Sequence, residues 1–391
     1  MRWTPRHLDQ LGHVSRGRSR HRPRDAAHLY DGPYPFIQTG DVKHAGLYIT
    51  DYQQTYSEEG LAQSKLWPAG TLCITIAANI ADTAILNFDA CFPDSVIGFI
   101  ADPTEADSRF IKYLFDATLQ TRFQQFSQGA TQDNLSQEKL LSLELAVPGV
   151  VEQQEIADIL SAYDDLIENN RRRIQLLEEF VRQLYKEWFV RLRFPGHEHV
   201  KVIDGVPKGW ERQSLSELAE ITMGQSPESK HYNDVGDGLP FHQGVADFGD
   251  RFVKRRIYCT ALNRIAEAGD ILCSVRAPVG RLNTTLEKII IGRGLAALRS
   301  KTGHQSFLLY QLQTHFFKED LIGTGAIFAS VTKKQFETQK LLTPTTLLLE
   351  GFEELSRPID DQLRVLHLQN EQLRLARDLL VPRFMSGEIT V

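Results

Sequence analysis

The sequence predicts an α+β fold in which two related α/β domains are separated by a long antiparallel two-helix coiled coil. Three observations predict it. The second half of the chain repeats motifs of the first half in the same order, each half mixes strand-like and helix-like segments, and each half closes with a long charged helix. The predicted order is a first α/β domain over 1–150, a helix over 151–190, a linker over 191–209, a second α/β domain over 210–346 and a second helix over 347–391.

The repeat consists of matches that keep one order along the chain. PYPFIQTGDV at 33–42 resembles GLPFHQGVADF at 238–248, and Pro35 matches Pro240 with a shift of 205. The shift falls to 199 between Gly70 and Gly269, and it then stays at 196 from Gly98 to the Asp pair at 164–165. Five matches in order indicate an internal duplication and hence two domains with one plan.

Short segments within each half predict the mixed α/β character. GTLCITIA and KIIIGRGLAALR have the length and the β-branched content of strands. DSRFIKYLFDATLQTRFQQF and HQSFLLYQLQTHFF have the apolar spacing of amphipathic helices. Glycine, proline and aspartate separate these segments, as is typical of turns.

The two closing segments predict long paired helices. No Gly or Pro occurs from Glu152 to Phe189, and apolar residues recur at alternating steps of four and three from Ile156 to Trp188. A shift of 196 carries this heptad pattern to 352–384, where Ser356 and Arg377 interrupt it. A plain intramolecular bundle and a dimerisation zipper are the alternative interpretations of the same pattern.

One asparagine in each heptad pattern indicates the direction of pairing. In an antiparallel pair with matched ends, facing positions add to 540, as Ile156 and Phe384 do, and Asn170 and Asn370 also add to 540. A parallel register would set Asn170 against Leu366. Because a buried amide is costly without a partner, we predict an antiparallel Asn170–Asn370 pair. At about 1.5 Å per residue, such a helix would span roughly 50 Å.

Composition predicts a globular protein of the cytoplasm. The chain has 391 residues, of which 42% are hydrophobic and 24% charged, so two or more domains are expected. The four cysteines form no C-x-x-C pair, which is typical of reduced thiols. No apolar segment of about 18 residues occurs, and the N-terminus lacks the apolar core of a secretory signal. The net charge is −6, yet basic residues cluster between Arg16 and Arg24 and again between Arg251 and Arg293.

Several enzyme signatures are absent from the sequence. It contains no Asn/Asp-Pro-Pro-aromatic motif of amino-methyltransferases, no glycine-rich fingerprint for S-adenosylmethionine and no phosphate-binding G-x-x-x-x-G-K-[ST] loop. The histidines of GHEH at 196–199 have no further ligands nearby in sequence. The sequence therefore predicts no catalytic centre, no cofactor and no metal site.

Five segments together resemble one known family, the specificity subunits of type I restriction–modification systems. They are GRSRHRPR with YPFIQTGDV, YDDLIENNRRRIQLLEEFVRQLYKEWFVRLRFPGHE, DGVPKGWE, MGQSPESKHYN with GLPFHQG, and LRLARDLLVPRFMSGEI. The resemblance implies two target-recognition domains related by a pseudo-twofold axis, each reading half of a bipartite site in double-stranded DNA. It also implies partners, namely two methyltransferase subunits that modify adenine and translocase–endonuclease subunits. An orphan specificity subunit, a non-enzymatic coiled-coil scaffold and a self-sufficient nuclease or methyltransferase are the alternatives.

The candidate DNA contacts in the first half are mostly basic or amide side chains in loops. Phosphate contacts suit arginine and lysine, whereas glutamine can read adenine. The arginines could equally belong to a solvated loop, the glutamine could satisfy a strand edge, and the Gly- and Thr-rich segment at 127–136 could be loop punctuation before a helix capped by Ser136. The candidates are Arg16, Arg18, Arg20, Arg22, Gln38, Lys43, Thr131, Gln132 and Asn134.

The second half offers the corresponding candidates. The loop that matches the arginine-rich loop contains Lys230 and Tyr232, and Gln243 matches Gln38. The segment SVRAPVG places Arg276 and Arg281 on a predicted strand and turn that face the same region as this loop. In the helices, Asn170 and Asn370 are the predicted register pair, and Arg171–Arg173 form an exposed face that could dock partner helices.

Overall fold

The computed structural model describes residues 3–78, 80–127, 136–316 and 331–391, with the backbone alone for 119–127. The chain divides into two compact units. The first unit is Met1–Arg172 with His367–Val391, and the second unit is Arg173–Leu366.

The first unit contains two mixed sheets and a two-stranded ladder. Its strands are β1 (Thr4–Arg6), β2 (Gly12–Arg16), β3 (Tyr30–Phe36), β4 (Tyr48–Ile49), β5 (Gln54–Tyr56), β6 (Leu66–Trp67), β7 (Leu72–Thr75), β8 (Thr83–Leu86), β9 (Ala90–Cys91), β10 (Val96–Ala101) and β11 (Leu145–Val147). The sheet orders are β2-β10-β7-β8-β4 and β5-β3-β9-β6, and β1 pairs with β11. The helices are Thr39–His44, Glu58–Ala62, Ser108–Ser127, Gln137–Leu141 and the start of a central helix, Val150–Tyr185.

The second unit repeats this arrangement. Its strands are β12 (Val202–Ile203), β13 (Val206–Pro207), β14 (Glu211–Ser214), β15 (Ala219–Met223), β16 (Tyr232–Asn233), β17 (Leu239–His242), β18 (Tyr258–Cys259), β19 (Ile265–Ala266), β20 (Ile271–Ser274), β21 (Leu282–Thr284), β22 (Ile289–Ile291), β23 (Leu295–Ser300) and β24 (Lys340–Thr343). The helices are Leu215–Leu218, Gln305–Phe316, Lys333–Glu337 and the start of a C-terminal helix, Thr346–Met385.

The sheet orders of the two units match over four strands of each sheet, and β4 in the first unit and β16 in the second are additional edge strands. The second unit has β15-β23-β20-β21 where the first has β2-β10-β7-β8, and β18-β17-β22-β19 where the first has β5-β3-β9-β6. Both units contain the equivalent parallel pair, β3 with β9 and β17 with β22, and β4 with β8 is a further parallel pair in the first unit. This agreement confirms the internal duplication and the mixed α/β character that the sequence predicts.

Each unit buries one face of one of its sheets against helices. In the first unit, Ile74 and Phe99 of the sheet share a core with Phe110 of helix Ser108–Ser127 and Leu160 of the central helix. In the second unit, Ile271 and Leu298 share a core with Leu308 and Leu312 of helix Gln305–Phe316. The apolar spacing that predicts these two helices thus corresponds to their buried faces.

The segment KIIIGRGLAALR forms two strands and not one. Ile289–Ile291 is β22 and Leu295–Ser300 is β23, and they belong to different sheets. Between them, the amide of Gly294 donates to the carbonyl of Gln243 at 3.1 Å, and a Cβ on Gly294 would lie 2.5 Å from that oxygen. The glycine therefore permits the close backbone approach at which the chain passes from one sheet to the other.

Within each unit, the central and C-terminal helices run antiparallel. In the first unit, Ile156 shares a core with Phe384, and in the second, Trp188 packs against Phe352 with ring centroids 6.2 Å apart. The C-terminal helix ends at Met385, although the predicted helical segment extends to Val391. Gly387 has a φ of +72°, and the amide of Glu388 returns to the carbonyl of Arg383 at 3.0 Å, which is a glycine-terminated helix end.

All four cysteines are buried and unpaired. No helix among the described residues is long and apolar enough to cross a membrane.

Candidate nucleic-acid interface

The parallel pair of β3 and β9 in the first unit brings two loops to one sheet edge. Phe36 of β3 lies beside Cys91 of β9, and the amide of Ile37 donates to the carbonyl of Cys91 at 2.8 Å. Because parallel strands end at the same side of a sheet, the residues that follow them, Gln38 and Asp94, leave the sheet on that side. We define this place as the first edge.

The arginine-rich loop crosses the first edge. The amide of Gly17 donates to the carbonyl of Val96 at 2.8 Å, and that of Arg18 to the carbonyl of Phe92 at 3.0 Å. A Cβ on Gly17 would lie 2.3 Å from the carbonyl oxygen of Pro93, so the crossing requires glycine. The side-chain oxygen of Gln63 accepts the amides that follow, from Arg20 at 2.6 Å and from His21 at 3.0 Å.

The four predicted arginines have different surroundings. Arg16 is the last residue of β2, not a loop residue, and its guanidinium donates to the carbonyl of Asp94 at 2.8 and 3.0 Å. Arg22 donates to the carbonyls of Ser19 and His21 at 2.8 and 2.7 Å. Arg18 and Arg20 are exposed, and among the described residues no hydrogen bond or ion pair of their guanidinium groups is found. These two arginines are therefore the ones that the fold leaves available for an anionic partner.

A lysine that sequence analysis did not single out lies near this loop. The Nζ atom of Lys65 is 3.6 Å from the ring centroid of Trp67, and its side chain is half-buried. Burial lowers the pKa of Lys65, and the charge of Arg18 lowers it further. Its ring partner is two residues away in sequence, whereas the proximity of Arg18 depends on the fold.

Gln38 is the N-cap of the short helix Thr39–His44 that follows β3, and Lys43 lies in the last turn of this helix. The amide of Gln38 donates to the carboxylate of Asp41 at 2.7 Å, and its side-chain nitrogen donates to Gln54 of the adjacent strand. This is the strand-edge role that was the alternative to adenine reading. Lys43 is exposed and close enough to Asp82 to lower the pKa of that carboxyl, which burial raises more strongly. Thr131, Gln132 and Asn134 lie outside the described residues.

The second unit forms a corresponding second edge. Phe241 and His242 of β17 lie beside Ile290 and Ile291 of β22, and Gln243 follows directly. The amide of Gly224 donates to the carbonyl of Leu295 at 2.9 Å, as the amide of Gly17 does in the first unit. The loop after Gly224 therefore crosses the second edge as the arginine-rich loop crosses the first.

The predicted residues of the second loop make local contacts. Lys230 is exposed and pairs with Glu228 at 2.6 Å. Tyr232 stacks on Phe241 with ring centroids 4.6 Å apart, and its hydroxyl donates to the carbonyl of Pro227 at 2.9 Å. The ring of Tyr232 thus supports the loop.

Arg276 and Arg281 lie in the turn between β20 and β21. The amide of Val275 donates to the carbonyl of Gly294 at 2.9 Å, which places Arg276 beside the second edge. Arg281 lines a cleft of about 810 Å³ together with Arg182 and Lys186. Both arginines are exposed, and the described residues provide no ion-pair partner for either. The structure thus assembles Gln243, Arg276 and Arg281 within one unit.

The two helix asparagines meet in the first unit. Nδ2 of Asn170 donates to Oδ1 of Asn370 at 3.0 Å, and Nδ2 of Asn370 donates to the carbonyl of Ile167 at 3.3 Å. Arg377, which interrupts the apolar pattern, donates to Asp164 across the same helix pair. Arg171 and Arg172 both pair with Glu168 on their own helix.

Two further predictions concern caps and metals. Ser136 and Thr332 cap helices, accepting the amides of Lys139 at 3.1 Å and Gln335 at 3.3 Å, as the sequence predicts. In the described ranges, no group of three or more His, Cys, Asp or Glu side chains is placed to hold a metal ion.

Comparison with known proteins identifies the family of this duplicated fold. The family described as type I restriction modification DNA specificity domain matches residues 2–179 and 207–346. The chain belongs to this family. It is accordingly a DNA-recognition subunit and not an enzyme, as its sequence motifs predict.

Individual relatives agree with this assignment. The putative type I restriction enzyme MjaX specificity subunit of Methanocaldococcus jannaschii is 33% identical over 265 residues, which are 66% of this chain and 62% of that subunit. The match thus spans less than two thirds of MjaX. The MjaIX specificity subunit of the same organism is 24% identical, and the match covers 100% of this chain and 94% of that subunit. The crystal structure of the type I restriction–modification system S subunit from M. genitalium has the same fold, with a TM-score of 0.66 at 17% identity over 97% of this chain and 95% of that one.

Proposed function

We propose that this chain reads a bipartite DNA target, one half-site with each α/β domain, and directs methyltransferase and endonuclease subunits to it. The domains are those over 1–150 and 210–346. The helices over 151–190 and 347–391 act as an antiparallel coiled coil that sets the unread gap, and 191–209 is the linker between the two halves. The single observation that carries the proposal is that one sheet edge, crossed by a glycine-anchored loop, occurs in both units.

The exposed arginines at the two edges suit the phosphate backbone of DNA. Arg18 and Arg20 lie at the first edge, and Arg276 lies at the second. Each phosphate neutralised by such a group releases counterions, so affinity falls as salt rises. Net charge does not oppose this role, because DNA responds to the local field of a surface and not to the total of −6.

The helix pair suits the role of a spacer. Asn170 and Asn370 form a buried polar contact in a largely apolar seam, which disfavours slipped registers. A fixed register fixes how the two helices align, and this alignment together with the helix lengths would set one separation between half-sites. Two methyltransferase subunits and the translocase–endonuclease subunits are the partners that we propose for the assembled complex.

The proposal is tested by co-expressing this chain with its methyltransferase subunit and mapping methylated adenines across the host DNA. We expect one bipartite motif that disappears when this chain is omitted. If both proteins are soluble and associated but no motif is methylated, the proposal is wrong and the alternative of a non-enzymatic scaffold is favoured.

A matched pair of variants assigns the first edge. Arg18→Ala with Arg20→Ala removes two exposed guanidinium groups at the first edge, whereas Arg191→Ala with Arg193→Ala removes two exposed groups that pair with Glu187. We expect the Arg18/Arg20 variant to weaken binding of the complex to its DNA and to reduce the salt dependence of binding by up to about two phosphate contacts. Equal binding by the Arg18/Arg20 variant and the Arg191/Arg193 control would exclude this loop as a contact.

A further inference from the structure

One position carries opposite charges at the two edges although the backbone around it is the same. In the first unit the amide of Arg18 donates to Phe92, and in the second the amide of Gln225 donates to Ile291, at 3.0 Å in both. Asp94 lies two residues after Phe92, and Arg293 lies two residues after Ile291. The duplicated fold therefore places a carboxylate at the first edge where it places a guanidinium at the second.

Asp94 is occupied by arginines of its own unit. Its carboxylate accepts from Arg24 at 3.0 and 3.1 Å, and its backbone carbonyl accepts from Arg16. Asp94 thus fixes the base of the arginine-rich loop.

Among the described residues, Arg293 has no ion pair equivalent to the one between Asp94 and Arg24. Its amide donates to Oγ of Ser226 at 3.2 Å, which fixes the backbone, while its side chain is exposed. Among the described residues no carboxylate forms an ion pair with its guanidinium. The nearby groups are Tyr232 and the neutral side chain of Gln243. Burial raises the pKa of the Tyr232 hydroxyl, and the positive charge of Arg293 partly lowers it.

The side chains at this edge include an exposed guanidinium and a glutamine that is already engaged. The hydroxyl of Ser226 donates to Oε1 of Gln243 at 2.7 Å, which uses one of the two lone pairs of that oxygen and holds the amide in place. Guanine presents two acceptors, N7 and O6, to the fork of an arginine. The exposed guanidinium of Arg293 therefore suits guanine at the second edge.

We propose that Arg293 is a specificity-determining residue that reads a guanine in the half-site of the second domain, with Ser226 and Gln243 positioning its loop. This inference rests on the proposed function. At the first edge Asp94 cannot donate to guanine, so the two half-sites are read differently at this place in the fold.

The test uses the complex of the full chain with its methyltransferase subunit. Methylation of DNA libraries randomised in each half-site is measured for the native chain and for Arg293→Lys and Arg293→Gln. Lysine keeps the charge but loses the fork. We expect both variants to lose roughly tenfold to a hundredfold discrimination for guanine at one position of the second half-site, with the first half-site unchanged.

Controls separate this outcome from others. Arg212→Lys and Arg212→Gln change an exposed arginine of β14 in the same unit and should leave the motif unaltered. An unaltered motif in both Arg293 variants, or weakening that is uniform across all sequences, overturns the inference and indicates at most a phosphate contact. If the native complex methylates no motif, the proposed function itself fails, and this inference fails with it.

Discussion

Replacing Asn370 with leucine tests whether the buried asparagine pair specifies how the helices align. Asn170 and Asn370 are 7% and 3% exposed, and their side chains share a hydrogen bond of 3.0 Å. Asn370→Leu leaves the Asn170 amide without its acceptor, away from water. An unsatisfied buried polar group costs about 1–3 kcal/mol, although burial of the leucine side chain offsets part of this cost.

A double-mutant cycle removes that offset. Each leucine contributes its apolar burial both in its single variant and in the double variant, so this contribution cancels. Each single variant alone, however, contains an asparagine that has lost its hydrogen bond to the other one. We therefore expect a coupling free energy of about 2 kcal/mol between Asn170→Leu and Asn370→Leu, with the double variant more stable than the sum of the single effects predicts.

The assay is guanidinium unfolding followed by far-UV circular dichroism for all four proteins of the cycle. The control combines Asn370→Leu with Asn87→Leu, which changes an exposed asparagine of the same unit and should be additive within about 0.5 kcal/mol. Coupling between Asn170 and Asn370 no larger than in this control would refute the reasoning, because the amides would then not depend on each other.

Three further predictions concern buried groups. Arg251→Met should destabilise the protein by about 3 kcal/mol or more, measured by chemical unfolding, because it leaves the carboxylate of Asp360 without the arginine, whose own side chain is only 10% exposed. Burial lowers the pKa of His242 in the folded protein, although the charge of Asp247 raises it in part, so the unfolded chain binds a proton more readily than the folded one. Stability should therefore fall as pH decreases below about 6.5, and this pH dependence should weaken in His242→Gln. Urea unfolding at several pH values measures this dependence, and an unchanged slope of the free energy of unfolding against pH in His242→Gln would contradict the prediction. Gly17→Ala should lower the thermal midpoint more than Gly40→Ala, since a Cβ meets backbone at 2.3 Å in the first case and nothing within 4 Å in the second.

The arginine-rich loop illustrates how far sequence reasoning extends toward the site. The cluster of like charges predicts an anionic partner, yet it does not distinguish Arg18 and Arg20 from Arg16 and Arg22. For Arg16 that distinction depends on the backbone carbonyl of Asp94, which the fold brings from a distant position, and for Arg22 on the carbonyls of Ser19 and His21 in its own loop. Arg293 shows the same limit, because Ser226 and Tyr232, which lie near it, are distant in sequence.

The sequence by itself determined the features that arise from local periodicity and from repetition. The duplication, the two long helices and the Asn170–Asn370 contact all follow from spacing along the chain, since a heptad repeat dictates which residues share a helix face. Only the tertiary structure decided that KIIIGRGLAALR divides between two sheets, and that Asp94 and Arg293 occupy equivalent places with opposite charge. These features depend on backbone hydrogen bonds between strands that are distant in sequence, and no local pattern encodes the partner of a strand.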